Sequence, residues 1–200
     1  MRPIARTKAT SAGAPRVGNN EGLTGLNFRG ANDPRVVVDT VGRDVLNKDT
    51  LFFPKKYPRN GAVTYVLASG IEARLIEAET ALELDASNGQ WLAKLNHLRQ
   101  TAIAPALDTL ADPGQDGGGT NAPRVDLLFR ERALWLYLTG HRQGDLRRLV
   151  RQYLRAPNTV YPTGAYAGGR GSYFNEIVAP VPEAEERDNS QYTGCVNFDA

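Results

Sequence analysis

The segment LLFRERALWLYLTGHRQGDLRR, residues 127–148, decides the predicted fold of this chain. It predicts a helix, a break at Thr139-Gly140 and a second, strongly basic helix. Glu131 falls on the apolar stripe of the first helix, which is formed by Leu127, Leu134 and Leu138. A carboxylate among leucines needs a cationic partner, because an unpaired buried charge is very unfavourable.

We expect the partner of Glu131 to come from the same segment. The candidate arginines are Arg130, Arg132, Arg142, Arg147 and Arg148. Those on the basic helix that do not pair with Glu131 are expected to pair with Asp145 or to meet solvent. The segment therefore predicts a helical hairpin held by an ion-pair network, and it does not by itself indicate a function.

Length and composition favour one soluble globular domain, or one and a fraction, within 200 residues. The hydrophobic share of 41% is sufficient for a core, and the net charge of +2 gives no global indication of nucleic acid or an anionic membrane. The single cysteine, Cys195, excludes an intrachain disulfide framework and a multi-cysteine metal site.

The N-terminal part shows little periodicity. Residues 1–32 are rich in Gly, Ala, Asn and Arg, so we expect a loop or disorder, and no apolar segment follows their basic residues as in a secretory signal peptide. Short runs at 36–38 and 51–53 predict brief extended pieces. The basic run at 55–61 has turn composition and predicts a solvated loop rather than an anion site.

Two amphipathic helices are predicted over 67–84 and 90–104, and the short loop between them predicts an antiparallel hairpin. Their apolar faces consist of Ile71, Leu75, Ala78 and Leu82 on the first helix and Trp91, Leu95, Leu98 and Ala102 on the second. The acidic face of the first helix is expected to meet solvent, and its residues are Glu72, Glu79 and Glu83.

The third and fourth helices are predicted from Pro123 or Arg124 to Thr139 and over 143–154. The predicted fold is therefore mainly α, with tetratricopeptide-like hairpins, long irregular loops and an extended C-terminal strap over Ile177–Pro182, followed by a polar turn at 183–189. We divide the chain into a loop-rich, partly disordered N-terminal segment, 1–60, and a helical region, 61–200.

No residue is predicted to be catalytic, to bind a cofactor or to bind a metal. His97 and His141 lack the partners of a catalytic triad or a metal site. The Gly117–Gly119 run lacks the Gly-Lys-Ser/Thr ending of a phosphate-binding loop. Asp112 and Asp116 lack the spacing of a calcium loop.

Two further sets of residues have the composition of binding surfaces. The five arginines between 142 and 155 fit a nucleic-acid face poorly, since the net charge is low and no binding module is recognisable. Aromatic rings beside glycine-rich loops can stack on sugars, but we expect them rather to cover the edge of a core. These aromatic residues are Tyr161, Tyr166, Tyr173 and Phe174.

Four motifs, in order over residues 68–189, resemble the C-terminal part of SusD/RagB family proteins. The first two helices carry Glu72, Ala73 and Leu75, then Leu95, Asn96 and Arg99. The third motif consists of Glu131, Arg132, Gly140, Arg142, Asp145, Leu146, Arg147 and Arg148. The fourth consists of Pro180, Pro182, Glu186, Arg187 and Asn189. A weaker resemblance covers Asn32 to Tyr57, through Asn-Asp-Pro-Arg and Lys-Tyr elements.

The resemblance implies a non-enzymatic outer-membrane lipoprotein at the bacterial surface. Such a protein binds glycans or other nutrients and caps a SusC-type TonB-dependent β-barrel transporter. The motif residues are expected to form the helical scaffold, so the ligand-binding residues stay unknown. Family members are longer and carry a lipid-bearing cysteine near the mature N-terminus, whereas Cys195 lies at the other end. We therefore expect a fragment or short form; the alternative is a helical protein-interaction scaffold without a glycan role.

Overall fold

The computed structural model describes residues 19–20, 22–43, 50–57, 66–165, 172–173 and 187–193. The fold is mainly α-helical, which confirms the predicted fold class; the tetratricopeptide-like detail stays a prediction. The helices are α1 (Gly70–Leu84), α2 (Gln90–Thr101), α3 (Ala122–Trp135), α4 (Arg142–Arg151) and α5 (Pro157–Val160), with a 3-10 turn at Ala86–Asn88. The strands are β1 (Val38–Arg43), β2 (Thr50–Pro54), β3 (Gly164–Ala165) and β4 (Ser172–Tyr173).

The chain divides into two compact units, one built from Asn32–Val41 and Phe52–Arg142 and the other from Met1–Ala31, Gly42–Leu51 and Gln143–Ala200. We call the first the helical unit. The proposed division into 1–60 and 61–200 stays a prediction.

The helical unit is centred on α1, which packs against α2 and α3. Its core consists of the side chains with no exposed surface, which include Leu75, Trp91, Leu95 and Leu128. Each of the three leucines is worth about 1.5–3 kcal/mol of hydrophobic free energy. The predicted apolar stripes of the first two helices are therefore largely correct, although Ala102 follows the end of α2 and is exposed.

Local capping fixes the sharp connection between α1 and α2. The Ser69 hydroxyl accepts a hydrogen bond from the Glu72 amide at the start of α1 (3.1 Å). Asp85 accepts one from the Ser87 amide (2.9 Å) and starts the 3-10 turn, and Gly89 precedes α2 with φ 70°. The Trp91 indole N–H donates to the Ala86 carbonyl (3.2 Å), so this turn is bound to the core.

The prediction that Glu79 meets solvent was wrong. Its residue surface is only 6% exposed, because it lies on the α1 face that packs into the core. There Glu79 Oε2 lies 3.7 Å from Nη1 of Arg132, which is itself 4% exposed. Glu83 is exposed as predicted, and Glu72 is half-buried.

The third helix is shorter than predicted. It ends at Trp135 rather than Thr139, and the chain then turns, with Leu138 at φ 56° and Gly140 at φ 85°. The Lys56 ammonium donates to the Tyr137 carbonyl (2.6 Å), and the Tyr57 hydroxyl donates to the Leu138 carbonyl (2.9 Å). These donors bind two of the carbonyl groups that follow the last helical turn. We call residues 136–141 the α3 turn.

The short extended pieces lie close to their predicted positions. β2 includes the run at 51–53, whereas β1 begins at Val38, where the predicted run ends. Val36 is instead buried in a turn, with its amide bound to the Asp33 carbonyl (2.9 Å). β1 and β2 form a two-stranded sheet.

In the second unit, the described N-terminal residues pack against the chain that follows α5. The Leu23 amide donates to the Thr163 carbonyl (2.9 Å), and the Thr24 hydroxyl donates to the Tyr161 carbonyl (2.5 Å). A Cβ at Gly22 would lie 2.2 Å from the Thr163 oxygen, so glycine is required there. β3 pairs antiparallel with β4 through Gly164–Tyr173 and Ala165–Ser172.

The fourth helix is confirmed, although it spans Arg142–Arg151 rather than 143–154. Its buried face includes the predicted Leu146, Leu149 and Val150. The pairing of α3 with α4 as a hairpin stays a prediction. The predicted strap at Ile177–Pro182 and most of the polar turn at 183–189 lie outside the described residues.

Candidate functional site

A group of connected charges in the helical unit surrounds Glu131 on α3. Arg35 donates to both of its carboxylate oxygens, from Nη1 to Oε2 (2.6 Å) and from Nη2 to Oε1 (3.2 Å). Arg99 on α2 donates from Nη1 to Oε1 (2.9 Å). Arg35 also donates from Nε and Nη2 to the two carboxylate oxygens of Asp33 (2.8 and 2.6 Å). We call Asp33, Arg35, Arg99 and Glu131 the Glu131 network.

The network is balanced in charge and mostly removed from water. It holds two carboxylates and two guanidinium groups, and the side chains of Arg35 and Glu131 are each 3% exposed. The Arg35 guanidinium also lies over the Trp135 ring, with 4.8 Å from Cζ to the ring centre. Such a paired network binds distant segments together, and it leaves no free carboxylate for acid–base chemistry at Glu131.

The pKa shifts within the network follow from this pairing. Burial alone would raise the pKa of Asp33, but the hydrogen bonds from the Arg35 side chain and backbone outweigh it, so that the pKa lies below its ordinary value. Burial would likewise lower the pKa of Arg35, but the hydrogen bonds to Asp33 and Glu131 raise it. Both groups are therefore held in their charged forms.

The predicted partners of Glu131 were wrong. The arginines that bind it, Arg35 and Arg99, lie outside the segment 127–148. Adjacent residues on a helix point about 100° apart, so Arg130 and Arg132 cannot easily face the same partner as Glu131. Arg132 instead approaches Glu79.

The partner expected for Asp145 was correct. Arg148 donates from Nη2 to Asp145 Oδ1 (2.8 Å) within α4. Asp145 is 3% exposed, whereas the Arg148 side chain is 35% exposed, so a buried carboxylate is paired with a guanidinium that reaches solvent.

Asn96 and Arg99 on α2 bind the loop that follows this helix. The Asn96 side chain forms two hydrogen bonds with the Leu110 backbone: its Nδ2 donates to the carbonyl (3.0 Å), and its Oδ1 accepts from the amide (2.7 Å). Arg99 Nε donates to the Asp108 carbonyl (2.5 Å) while Nη1 binds Glu131. Arg99 therefore links this loop to α3.

The basic run near residue 55 is not simply a solvated loop. Lys55 is exposed and pairs with Asp39 (2.9 Å). Lys56 and Tyr57 instead bind carbonyl groups of the α3 turn. Residues 58–61 lie outside the described part of the chain.

Two acidic side chains of the loop between α2 and α3 bind groups of the loop itself or of the first turn of α3. Asp116 Oδ1 accepts hydrogen bonds from the amides of Gly118 (3.0 Å) and Thr120 (2.8 Å). The Asp112 carboxylate binds Arg124, with both contacts at 2.8 Å. These contacts give both carboxylates partners among nearby residues of the chain.

Two other residues considered as candidates lie apart from the Glu131 network, one at the surface and one in a core. His97 is exposed on α2, and Tyr161 is 5% exposed, as expected for a ring that covers a core. Tyr166 and Phe174 lie outside the described residues. Within the described part of the chain, no group of three or more His, Cys, Asp or Glu side chains could hold a metal ion. No described helix is long and apolar enough to cross a membrane.

Sequence reasoning missed the roles of Asp33 and Arg35. The available signal was the Asn32–Arg35 element, which carries part of the weaker N-terminal resemblance. In the structure this element supplies the buried cation that binds Glu131. Lys56 and Tyr57 supply the Lys-Tyr element of the same weaker resemblance and bind the end of α3.

Comparison with protein-family models matches residues 72–198, more than half of the 200 residues, to the SusD family. Searches of the curated proteins and of the solved structures found no match. The matched range contains all the motif residues named for the four motifs, from Glu72 to Asn189, and the inferred resemblance is confirmed. The weaker resemblance over Asn32–Tyr57 lies outside the match and stays a prediction. This chain belongs to the SusD family.

Proposed function

We propose that this protein binds a nutrient, specifically a glycan, as the surface component of a Sus-type outer-membrane uptake system. The observation that carries the proposal is the family match over 72–198. The family suggests a nutrient-binding component of such a system, and its members are non-enzymatic binding proteins. The proposed partner is a SusC-like TonB-dependent β-barrel transporter, and the proposed location is the surface of the outer membrane, through a lipid anchor.

The contacts of the motif residues support a binding scaffold rather than a catalytic centre. Glu131 lies on an apolar stripe, as a catalytic acid can, but two arginines bind its carboxylate. Asn96 and Arg99 bind backbone carbonyls of a loop. Residues used in this way position loops, and loops carry most ligand contacts on helical scaffolds.

The partner is tested in the native bacterium. A tagged copy of the full-length protein should retain a large β-barrel transporter when it is purified from detergent-solubilised outer membrane, while a tagged outer-membrane lipoprotein of another family should not. Sequencing of the gene region should find a signal peptide and lipid-bearing cysteine in frame upstream of Met1 and a neighbouring transporter gene. Absence of both the transporter and the upstream frame would contradict the proposal.

The ligand is tested separately. The purified protein should bind members of an oligosaccharide panel in isothermal titration calorimetry, and deletion of the gene should impair growth on the oligosaccharide that binds. Reaction products should not accumulate during prolonged incubation, since the protein is proposed to bind without catalysis. Product formation that persists after rigorous repurification would overturn the non-enzymatic assignment.

A protein-interaction scaffold without a glycan role is the second candidate. It is favoured by apolar side chains that α1 exposes to solvent, Ile76 at 52% and Leu84 at 82% exposure. If this candidate is correct, the double substitution Ile76→Ser and Leu84→Ser should release a soluble partner that the natural protein retains. The substitution Arg74→Ala on the same helix is the control and should release nothing.

A further inference from the structure

The Lys56 side chain binds a neutral group of the α3 turn. Its ammonium donates to the Tyr137 backbone carbonyl (2.6 Å). Within the described part of the chain, it forms no ion pair with a carboxylate. Glu72, a carboxylate that reaches the same turn, lies instead against His141, with 2.8 Å between Glu72 Oε1 and His141 Nε2. Among these residues, Lys56 is therefore a lysine without an acidic partner.

The other lysines that the structure describes each have such a partner. The Lys55 ammonium lies 2.9 Å from an Asp39 carboxylate oxygen. The Lys94 ammonium lies 3.1 Å from a Glu77 carboxylate oxygen. Since the attraction of a carboxylate depends on the positive charge, these two contacts favour the charged, non-nucleophilic form of the lysine.

The bond of Lys56 to a carbonyl does not depend on the charge in this way. A neutral amine retains two N–H groups, and either can donate to the Tyr137 oxygen while the nitrogen lone pair points elsewhere. The contact is therefore compatible with a neutral, nucleophilic amine.

The surroundings of Lys56 also favour the neutral amine. Protein covers part of the side chain, and this burial lowers the pKa of Lys56 from its ordinary value. The residue as a whole is nevertheless exposed, so a small reagent can reach it from solvent. A lysine that is partly desolvated and accessible condenses readily with carbonyl compounds, because its lone pair attacks the carbonyl carbon.

We propose that Lys56 is a covalent modification site, at which this protein takes up small aldehydes as a Schiff base. The lone pair of Nζ forms a bond with the aldehyde carbon, and a carbon–nitrogen double bond replaces the carbonyl double bond. The aldehyde oxygen leaves as water with both protons of the neutral amine. The site does not depend on the identity of the proposed nutrient or transporter.

Modification at Lys56 changes the contacts of the α3 turn. A neutral imine nitrogen carries no proton, so the Tyr137 carbonyl loses its side-chain donor. The Tyr57 hydroxyl still donates to the Leu138 carbonyl (2.9 Å), so one of the two side-chain bonds to this turn remains.

The experiment measures lysine reactivity in the full chain with a limiting amount of isotope-labelled formaldehyde and sodium cyanoborohydride. Cyanoborohydride transfers a hydride to the Schiff base and traps it as methyllysine. Peptide mass spectrometry then gives the labelling rate at each lysine, and fragment-ion spectra separate Lys55 from Lys56. In the folded protein, Lys56 should be labelled several times faster than Lys55 and Lys94.

The same measurement in concentrated urea is the control for the fold. The three rates should become similar there, because unfolding removes both the salt bridges and the burial. The proposal is overturned if Lys56 reacts no faster than Lys55 in the folded protein, or if the difference is unchanged in urea.

Two variants test the role of the carboxylate partners. Asp39→Asn should raise the labelling rate of Lys55, whose salt bridge it removes, and leave that of Lys56 unchanged. Asp108→Asn makes the same change of charge in the exposed loop after α2 and should leave both rates unchanged. An unaltered rate at Lys55 in Asp39→Asn would contradict the assigned effect of a carboxylate. The measurement on the natural sequence tests the proposal even if a variant fails to fold.

Discussion

Arg35 and Glu131 are 96 residues apart in the chain and form a two-point ion pair in the interior of the helical unit. Each side chain is 3% exposed. The pair joins the segment before β1 to the middle of α3, and Arg99 joins α2 to the same carboxylate. One glutamate therefore connects three parts of the unit, and its removal should affect all of them.

Glu131→Ala should lower the free energy of unfolding by about 3–5 kcal/mol, because it leaves the buried Arg35 charge without one of its two carboxylates. Glu131→Gln should lower it less, since an amide oxygen still accepts a hydrogen bond. Urea denaturation followed by circular dichroism measures both effects. Glu77→Ala, an exposed change on α1, is the control and should have little effect. An Ala variant as stable as the natural protein would contradict a buried network.

The predicted helices were correct because they depend on local periodicity. The stripe that contains Leu75 and Leu82, and the stripe that contains Trp91 and Leu95, both face the core as expected. Helix ends were less predictable where distant residues determine them. The pattern of apolar residues continues beyond Trp135, but Lys56 and Tyr57 bind the carbonyl groups of the turn that replaces the predicted last helical turn.

The charge partners could not be obtained from sequence spacing. The position of Glu131 on an apolar stripe predicted correctly that it is buried and paired, but nothing local identifies Arg35, which precedes it by 96 residues. The prediction that Glu79 meets solvent was wrong for a related reason. Its acidic neighbours suggested a solvent face, whereas a buried arginine, Arg132, approaches it from α3.

Asp33 should make stability depend on acidity. Its pKa is lowered in the folded state, so its contribution is complete above about pH 4, where the unfolded carboxyl ionises, and is lost as the pH falls through the folded value. Asp33→Asn should therefore be less stable than the natural protein by about 2 kcal/mol near pH 7. The difference should shrink below about pH 4.

Urea denaturation of both proteins at several pH values between neutrality and pH 3 checks this dependence. A stability difference that is constant over the whole range would show that the charge of Asp33 is not responsible. The pH range is chosen because the lowered pKa of Asp33 places its titration on the acid side of the ordinary carboxyl range.

Asn96→Ala should destabilise the protein by about 2 kcal/mol, since two hydrogen bonds at about 1 kcal/mol each are lost. The Leu110 amide and carbonyl would then lack the side-chain partner that holds their loop to α2. His97→Ala, at the next position and exposed, should change stability by less than about 0.5 kcal/mol. Thermal unfolding compares the two variants, and equal effects would contradict a specific role for Asn96. Hydrogen exchange at the Leu110 amide gives a local measurement. The exchange rate of this amide should increase only in Asn96→Ala.

Leu154 occupies a backbone conformation that suits glycine. Its φ is 55°. Its side chain contributes little packing energy, because the residue is 85% exposed. The conformation lets the Arg155 amide reach the Leu149 carbonyl (3.0 Å), which closes the end of α4. This conformation is unfavourable by about 1–2 kcal/mol for a residue with a Cβ, whereas glycine adopts it without that penalty. Leu154→Gly should therefore be more stable than Leu154→Ala by about 1 kcal/mol in urea denaturation, because alanine retains the Cβ. Greater stability of the alanine variant would show that the left-handed conformation is not adopted at this position in solution.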